Sequence, residues 1–179
     1  MTHDRTPCCL APKSRCGTKW AELRVWACRI TGKAVRLVEL QGDEQGKAPF
    51  YAQPVGFDGR AFWVARDHGC DTEKLLHEVC HWLVAPKDRR GRVNYGLGPG
   101  PHVIDDVTSD NEEVTVMLLE KLLAEDFSLA QDRIAKPDYN VANRRNPDWE
   151  SCETRARELY VTLRSAWPSA SPLRSSPTT

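Results

Sequence analysis

The amino-acid sequence predicts an α+β fold, in which a small antiparallel sheet is followed by a helix bearing an HExxH motif and by two further helices. Three observations predict it. Short segments of alternating hydrophobicity occupy the first half of the chain. The motif His77-Glu78-Val79-Cys80-His81 lies in an apolar segment with helical spacing, and two more helical patterns follow it.

The chain of 179 residues is long enough to bury one core without disulfides. Residues 168–179 are mostly Pro, Ser, Thr and Ala, which cannot bury enough apolar surface to offset ordering, and they predict a disordered tail. Residues 1–16 have a similar character and predict a flexible N-terminal arm. We therefore expect one metal-binding α+β domain over residues 17–167.

One helix and several strands are expected before the motif. Apolar residues recur at helical spacing over residues 18–30 and favour an amphipathic helix, although the alternation within that segment also permits a strand. Three segments have the apolar pattern of strands: residues 34–40, 50–57 and 61–65. Pro54 favours a sheet edge for the second of these, and Asp58-Gly59 predicts the turn into the third.

The motif helix is expected to run from Thr72 to about Ala85. Asp71 is suited to cap its N-terminus, and Pro86 ends it. Apolar residues cover most of its surface, so we expect the helix to be largely buried. Buried histidines and a buried glutamate need partners, which a metal ion would supply.

The motif itself carries the chemistry. Residues four apart on a helix project from the same face, so His77 and His81 can bind one metal ion. Glu78 can then act as a general base on a metal-bound water, as in HExxH zinc hydrolases. The alternative is that the motif comprises two hydrogen-bonded core histidines beside a salt-bridged glutamate.

A third ligand is expected from the next helix, which the capping-box pattern Ser109-x-x-Glu112 starts and which ends near Phe127. The helical phase turns Glu112 towards the core, whereas Glu113 falls with Glu120 on the polar side. We therefore expect Glu112 to complete the site. If Glu112 is instead the capping-box partner of Ser109, Glu113 is the ligand.

Other residues near the motif are weaker candidates. His102 and Asp105 lie in the long connection after the motif helix and are alternative ligands. Glu120, Asp105 or Asp106 would accept a hydrogen bond from a ligating histidine. Tyr95 is either a stabiliser of a developing oxyanion or a packing residue. The pair Arg89-Arg90 either binds a substrate carboxylate or complements the helix dipole.

A last helix is predicted over residues 147–167.

Composition limits the partners and the compartment. The 25 basic and 25 acidic side chains form no basic stripe or polybasic patch, so neither nucleic acid nor a membrane surface is an expected partner. Seven cysteines without an apolar leader argue against a disulfide framework and for a cytoplasmic protein. Reduced thiols are favoured over a separate metal site at Cys8, Cys9 and Cys16.

The run from His77 to Ala85, the pair Arg89-Arg90, the Asn94-Tyr95-Gly96 turn and the later Leu119-Glu120 form one pattern. Over residues 75–120 this pattern resembles the elongation factor P hydroxylase family. That resemblance implies an iron-dependent hydroxylase of a protein side chain, with Glu113 or Glu112 as the matching glutamate. More generally, the order of sheet, HExxH helix, loop and glutamate-bearing helix is similar to that of a compact zincin.

The function expected from these observations is that of a metal-dependent hydrolase, a zinc peptidase acting on a peptide or protein. Zn²⁺ would be held by the two histidines and a glutamate, with Glu78 as the catalytic base. The alternatives are an Fe²⁺-dependent hydroxylase, because the same ligand types suit non-haem iron, and a non-catalytic interaction protein stabilised by a metal.

Overall fold

The computed structural model describes residues 18–38, 55–65, 72–97, 106–130, 134 and 147–165. Within these residues the fold is α+β, as predicted, with four α-helices and one three-stranded sheet. The helices are α1 (Thr18–Thr31), α2 (Thr72–Val84), α3 (Asp106–Asp126) and α4 (Trp149–Ser165). The strands are β1 (Ala34–Val38), β2 (Val55–Phe57) and β3 (Ala61–Ala65). The predicted arm and tail lie outside the described residues.

The sheet is mixed, so the prediction of an antiparallel sheet is wrong. Strand β3 lies in the centre, with β2 antiparallel to it on one side and β1 parallel to it on the other. The registers pair Val55 with Val64 and Ala34 with Ala61. The alternation of a strand indicates which face is buried and carries no information about the direction of its neighbour. The predicted edge position of β2 is confirmed for the described sheet.

A tight turn joins β2 to β3. The Asp58 carboxylate accepts hydrogen bonds from the backbone N–H groups of Arg60 and Ala61, at 2.8 and 2.7 Å. Gly59 follows with a φ of +88°, a conformation that glycine adopts without steric cost. All five residues of β3 are buried, as expected for the central strand.

The helix bounds agree with the predictions for α1 and α2 and differ for α3. The third helix begins at Asp106, so Ser109 lies inside it and the predicted capping box is wrong. Residues 105–110 include several good N-cap residue types, and a local pattern cannot select among them. The predicted last helix corresponds to α4, which Asp148 caps by accepting a hydrogen bond from the N–H of Ser151 at 3.1 Å.

Helix α2 lies at the centre of the described structure and contacts α1, the sheet and α3. Its buried side chains belong to the main hydrophobic core: Leu75, Leu76, Val79, Cys80, Leu83 and Val84. Its last carbonyls accept hydrogen bonds from arginines, Arg90 to Leu83 at 2.9 Å and Arg155 to Val84 at 2.6 Å. Packing on several sides and a capped end hold the motif in a fixed orientation. No helix in the described part of the chain is long and apolar enough to span a membrane.

Candidate metal centre

The two motif histidines meet on one face of α2. The Nε2 atoms of His77 and His81 are 3.1 Å apart, and the rings are nearly perpendicular, with centroids 4.7 Å apart. Their side chains are 23 % and 11 % exposed, so the pair lies at the edge of the core. One turn of helix therefore brings two ring nitrogens close together, as their spacing predicted.

Glu113 on α3 supplies a carboxylate to the same point. Its Oε1 lies 3.7 Å from Nε2 of His77, and its Oε2 lies 3.4 Å from Nε2 of His81. A tetrahedral zinc with bonds of about 2.0–2.2 Å separates its nitrogen and oxygen ligands by about 3.3–3.6 Å. The two ring nitrogens and the carboxylate thus lie at about the spacing of zinc ligands. Each residue offers one ligand atom within 4.8 Å of the others, and their chemical types fit the metal that the motif implies.

Glu112, the residue favoured by helical phase, lies elsewhere. It is buried, as the phase predicted, but its carboxylate pairs with the guanidinium of Arg89. The structure brings Glu113, and not Glu112, to the histidines. Helical phase predicts whether a residue points towards the core. It does not predict which partner the residue meets there, Arg89 or the histidines of α2.

Glu120 lies two turns after Glu113 on the same face of α3. Its Oε2 is 2.9 Å from Nδ1 of His77, and its side chain is 2 % exposed. The face that the sequence assigned to solvent therefore faces α2 and lines the site. Glu120 is one of the three carboxylates proposed as a hydrogen-bond acceptor for a ligating histidine. Asp105 lies outside the described residues, as does the side chain of Asp106.

Tyr95 brings a hydroxyl group to Glu78. Its oxygen lies 2.7 Å from the backbone carbonyl of Glu78 and 3.2 Å from the carboxylate Oε2 of the same residue. Its ring is stacked on His81, with a centroid distance of 5.5 Å, and on Phe57 of β2, at 5.1 Å. The tyrosine is 1 % exposed and contacts the sheet, Glu78 and His81.

The environment separates the proton affinities of the two histidines. Burial lowers the pKa of His77, but the hydrogen bond and charge of Glu120, with two further carboxylates, outweigh it and raise the pKa to about 9. Burial and the charge of His77 lower the pKa of His81 well below its usual value. In the metal-free chain at neutral pH, His77 is therefore protonated and His81 is neutral.

Burial is the main cause of the raised pKa values of two carboxylates, Glu78 and Glu120. Burial raises the pKa of Glu78 to about 7, although the charge of His77 and the hydrogen bond from Tyr95 oppose the shift. Burial also raises the pKa of Glu120, against the opposing effect of His77. A carboxylate with a pKa near neutrality can both accept and return a proton at that pH.

The arginines and cysteines that the sequence analysis singled out lie away from the histidine pair or outside the described residues. Arg89 is buried in the ion pair, and Arg90 donates to two carbonyls at the end of α2 and lies 4.5 Å from the Trp82 ring, so Arg90 caps the helix. Cys28, Cys80 and Cys152 form no disulfide within the described part of the chain. The remaining candidates lie outside the described residues: His102, Cys8, Cys9 and Cys16.

Comparison of the chain with family models, with curated proteins and with solved structures gave no match. The geometry of the site is therefore the basis for a functional conclusion.

Proposed function

We propose that this protein is a zinc-dependent hydrolase, most simply a zincin-like peptidase that acts on a peptide or protein. The observation that carries the proposal is the convergence of His77, His81 and Glu113. The two Nε2 atoms are 3.1 Å apart, and the two oxygens of Glu113 lie 3.7 Å from Nε2 of His77 and 3.4 Å from Nε2 of His81. Three protein ligands leave one position of a tetrahedral zinc free for water or substrate, as catalytic zinc sites do.

The bound zinc would supply a Lewis acid that acidifies a water molecule and polarises a substrate carbonyl. Glu78 would accept the proton of the attacking water and pass it to the leaving amine. The Tyr95 hydroxyl, within hydrogen-bonding distance of the Glu78 carboxylate, would hold that base in place. Glu120 would orient His77 through Nδ1 and so keep Nε2 directed at the metal.

An iron-dependent hydroxylase is the second candidate. Two histidines and one carboxylate are also the ligand set of non-haem Fe²⁺ oxygenases. The same set is present in His77, His81 and Glu113. The zinc hydrolase is preferred because hydrolysis needs a general base beside the metal, and Glu78 follows the first ligand on the same helix.

The test is to purify the chain without oxygen and to measure its metal content. Stoichiometric zinc supports the hydrolase, iron with an oxygen-dependent product supports the hydroxylase, and absence of both metals contradicts both candidates. Glu113→Gln should lose the metal, whereas Glu112→Gln, the adjacent matched control, should retain it. Equal retention by both variants would contradict the ligand assignment.

Activity is then tested with a peptide library. Glu78→Gln should retain zinc and lose cleavage by several orders of magnitude, because the ligands remain while the base is removed. Cleavage at the native rate in a zinc-loaded Glu78→Gln chain would contradict the mechanism. If removal of zinc unfolds the chain and no peptide is cleaved, the metal is structural and the protein belongs to the non-catalytic class.

A further inference from the structure

The turn that holds Tyr95 has an unusual backbone. Asn94, Tyr95 and Gly96 have φ values of +43°, +57° and +77°, so three consecutive residues lie in the left-handed region. Glycine and asparagine tolerate this conformation, but a tyrosine adopts it at a cost in free energy. Such a conformation persists only where the surroundings determine it.

The position of the tyrosine ring follows from this turn. The ring lies between Phe57 and His81, with interplanar angles of 4° and 14°, and the hydroxyl is directed at Glu78. An extended backbone at Tyr95 would direct the side chain elsewhere, because φ sets the direction of the Cα–Cβ bond relative to the preceding chain. The contact with Glu78 thus depends on the left-handed turn.

A buried ion pair binds that turn to α3. The Arg89 guanidinium donates one N–H to the carbonyl of Tyr95, at 3.2 Å, and another to the carboxylate of Glu112. The two side chains are only 5 % and 4 % exposed. Removing two charges from water is costly, and a buried pair often contributes little net stability. Its position between the strained turn and α3 indicates a different role.

We propose that Arg89 and Glu112 are positioning residues, which hold the left-handed turn so that the Tyr95 hydroxyl stays on Glu78. The Glu112 carboxylate holds the Arg89 guanidinium in place, and the guanidinium holds the Tyr95 carbonyl by a hydrogen bond. The orientation of that peptide group then sets the direction of the Tyr95 side chain. The planar fork of arginine makes two directed hydrogen bonds at once, which one lysine ammonium does less well. The role of Glu78 in this inference rests on the proposed function, but its contact with Tyr95 can be measured without catalysis.

The first test is NMR of the full chain, with zinc added and with tyrosine labelled with ¹³C at Cζ, the carbon that bears the hydroxyl. The chain has four tyrosines, and the Tyr95 signal is the one that Tyr95→Phe removes. Glu112→Gln and Arg89→Lys should each shift the Tyr95 signal towards the value in the denatured chain. The Tyr160 signal should stay in place.

Asp126→Asn is the matched control, because Asp126 is also an acidic residue of α3 that pairs with an arginine, Arg164 at 3.0 Å. Asp126 lies close enough to the Tyr160 hydroxyl to raise its pKa, in addition to the effect of burial, so this variant should shift the Tyr160 signal and leave the Tyr95 signal unchanged. An unmoved Tyr95 signal in folded Glu112→Gln and Arg89→Lys chains would overturn the inference. So would equal shifts of both tyrosines, which indicate general loosening.

Two further measurements keep the test decisive. If Glu112→Gln does not fold, Glu112→Asp keeps the charge, withdraws the carboxylate by one methylene group and should give the same selective shift. With a peptide substrate, Glu112→Gln should lower kcat by about 10- to 100-fold and leave KM unchanged. In a Tyr95→Phe background the same change should have no further effect. Equal losses in both backgrounds would overturn the positioning role, and absence of hydrolysis in the native chain would contradict only the proposed function.

Discussion

Nδ1 of His77 lies 2.9 Å from Oε2 of Glu120, a carboxylate of the neighbouring helix that is almost completely buried. The contact fixes the rotation of the imidazole ring and leaves Nε2 directed at His81 and Glu113. A carboxylate in this position also increases the electron density of the ring and so strengthens it as a metal ligand.

Above about pH 9, where His77 of the native chain has lost its proton and no longer competes with the metal, Glu120→Gln should therefore weaken zinc binding by roughly 10- to 100-fold, because the amide keeps the shape of the side chain and removes its charge. Competition with a chromophoric chelator measures the dissociation constant. Glu125→Gln, which changes an exposed glutamate of the same helix, should leave it unchanged. Equal affinities in the native and Glu120→Gln chains would show that the contact does not support a metal ligand.

Much of the fold follows from local patterns. The spacing of apolar residues in α2, the Asp58-Gly59 turn and the edge position of β2 depend on residues close together in the sequence. The parallel pairing of β1 with β3 does not follow from local patterns. Residues 39–54 separate β1 from β2, and the pattern of those residues does not determine at which edge of β3 the first strand pairs. The direction of β1 is a property of the assembled sheet.

The same division applies to the site. His77 and His81 could be paired from the sequence because their spacing on one helix brings them together. The position of Glu112 depends on Arg89, 23 residues earlier, and no sequence signal links these two opposite charges. Helical phase places Glu113 on the polar face, because the phase calculation assumes that polar residues face solvent. In the structure, Glu113 and Glu120 of α3 instead face the histidines of α2.

The stability of the metal-free chain should decrease as the pH rises from about 6.5 to about 9. The pKa of His77 is raised to about 9 in the folded chain, from 6.5, so the folded state retains a proton that the unfolded state releases. The stabilisation is complete below 6.5 and is lost as the pH passes through 9. Glu78 acts in the same sense between 4.5 and about 7.

Urea unfolding with a chelator present measures this dependence. His77→Gln removes the titrating ring and should flatten the profile between pH 7 and 9. An increase in the free energy of unfolding over that range in the native chain would contradict the raised pKa of His77.

Gly56→Ala should destabilise the fold by about 1–3 kcal/mol, because a Cβ atom there would lie 2.7 Å from the Trp63 indole, which covers the glycine on the adjacent strand. Chemical denaturation measures the change. Gly91→Ala is the control, because a Cβ at that position meets no heavy atom within 4 Å. A similar loss in both variants would indicate a backbone effect of alanine and not the clash with Trp63.

Zinc binding at pH 8 should release roughly one proton from His77. A metal ligand needs the lone pair of Nε2, and the pKa of about 9 means that the metal-free ring is still protonated at this pH. An unperturbed histidine would release almost none, since its pKa is about 6.5. Calorimetry in two buffers with different ionisation enthalpies measures the number of protons.

A zinc-bound water would also release a proton at this pH, and the Glu120→Gln variant distinguishes that proton from the one on His77. The hydrogen bond and charge of Glu120 are the largest of the effects that raise the pKa of His77, so this variant should lose most of one proton from the total at pH 8. The affinity for zinc should then depend less on pH between 7 and 9, because the metal no longer competes with a proton on the ring. If Glu120→Gln releases as many protons as the native chain, they come from elsewhere, and the contact between Glu120 and His77 does not control the protonation of the ligand.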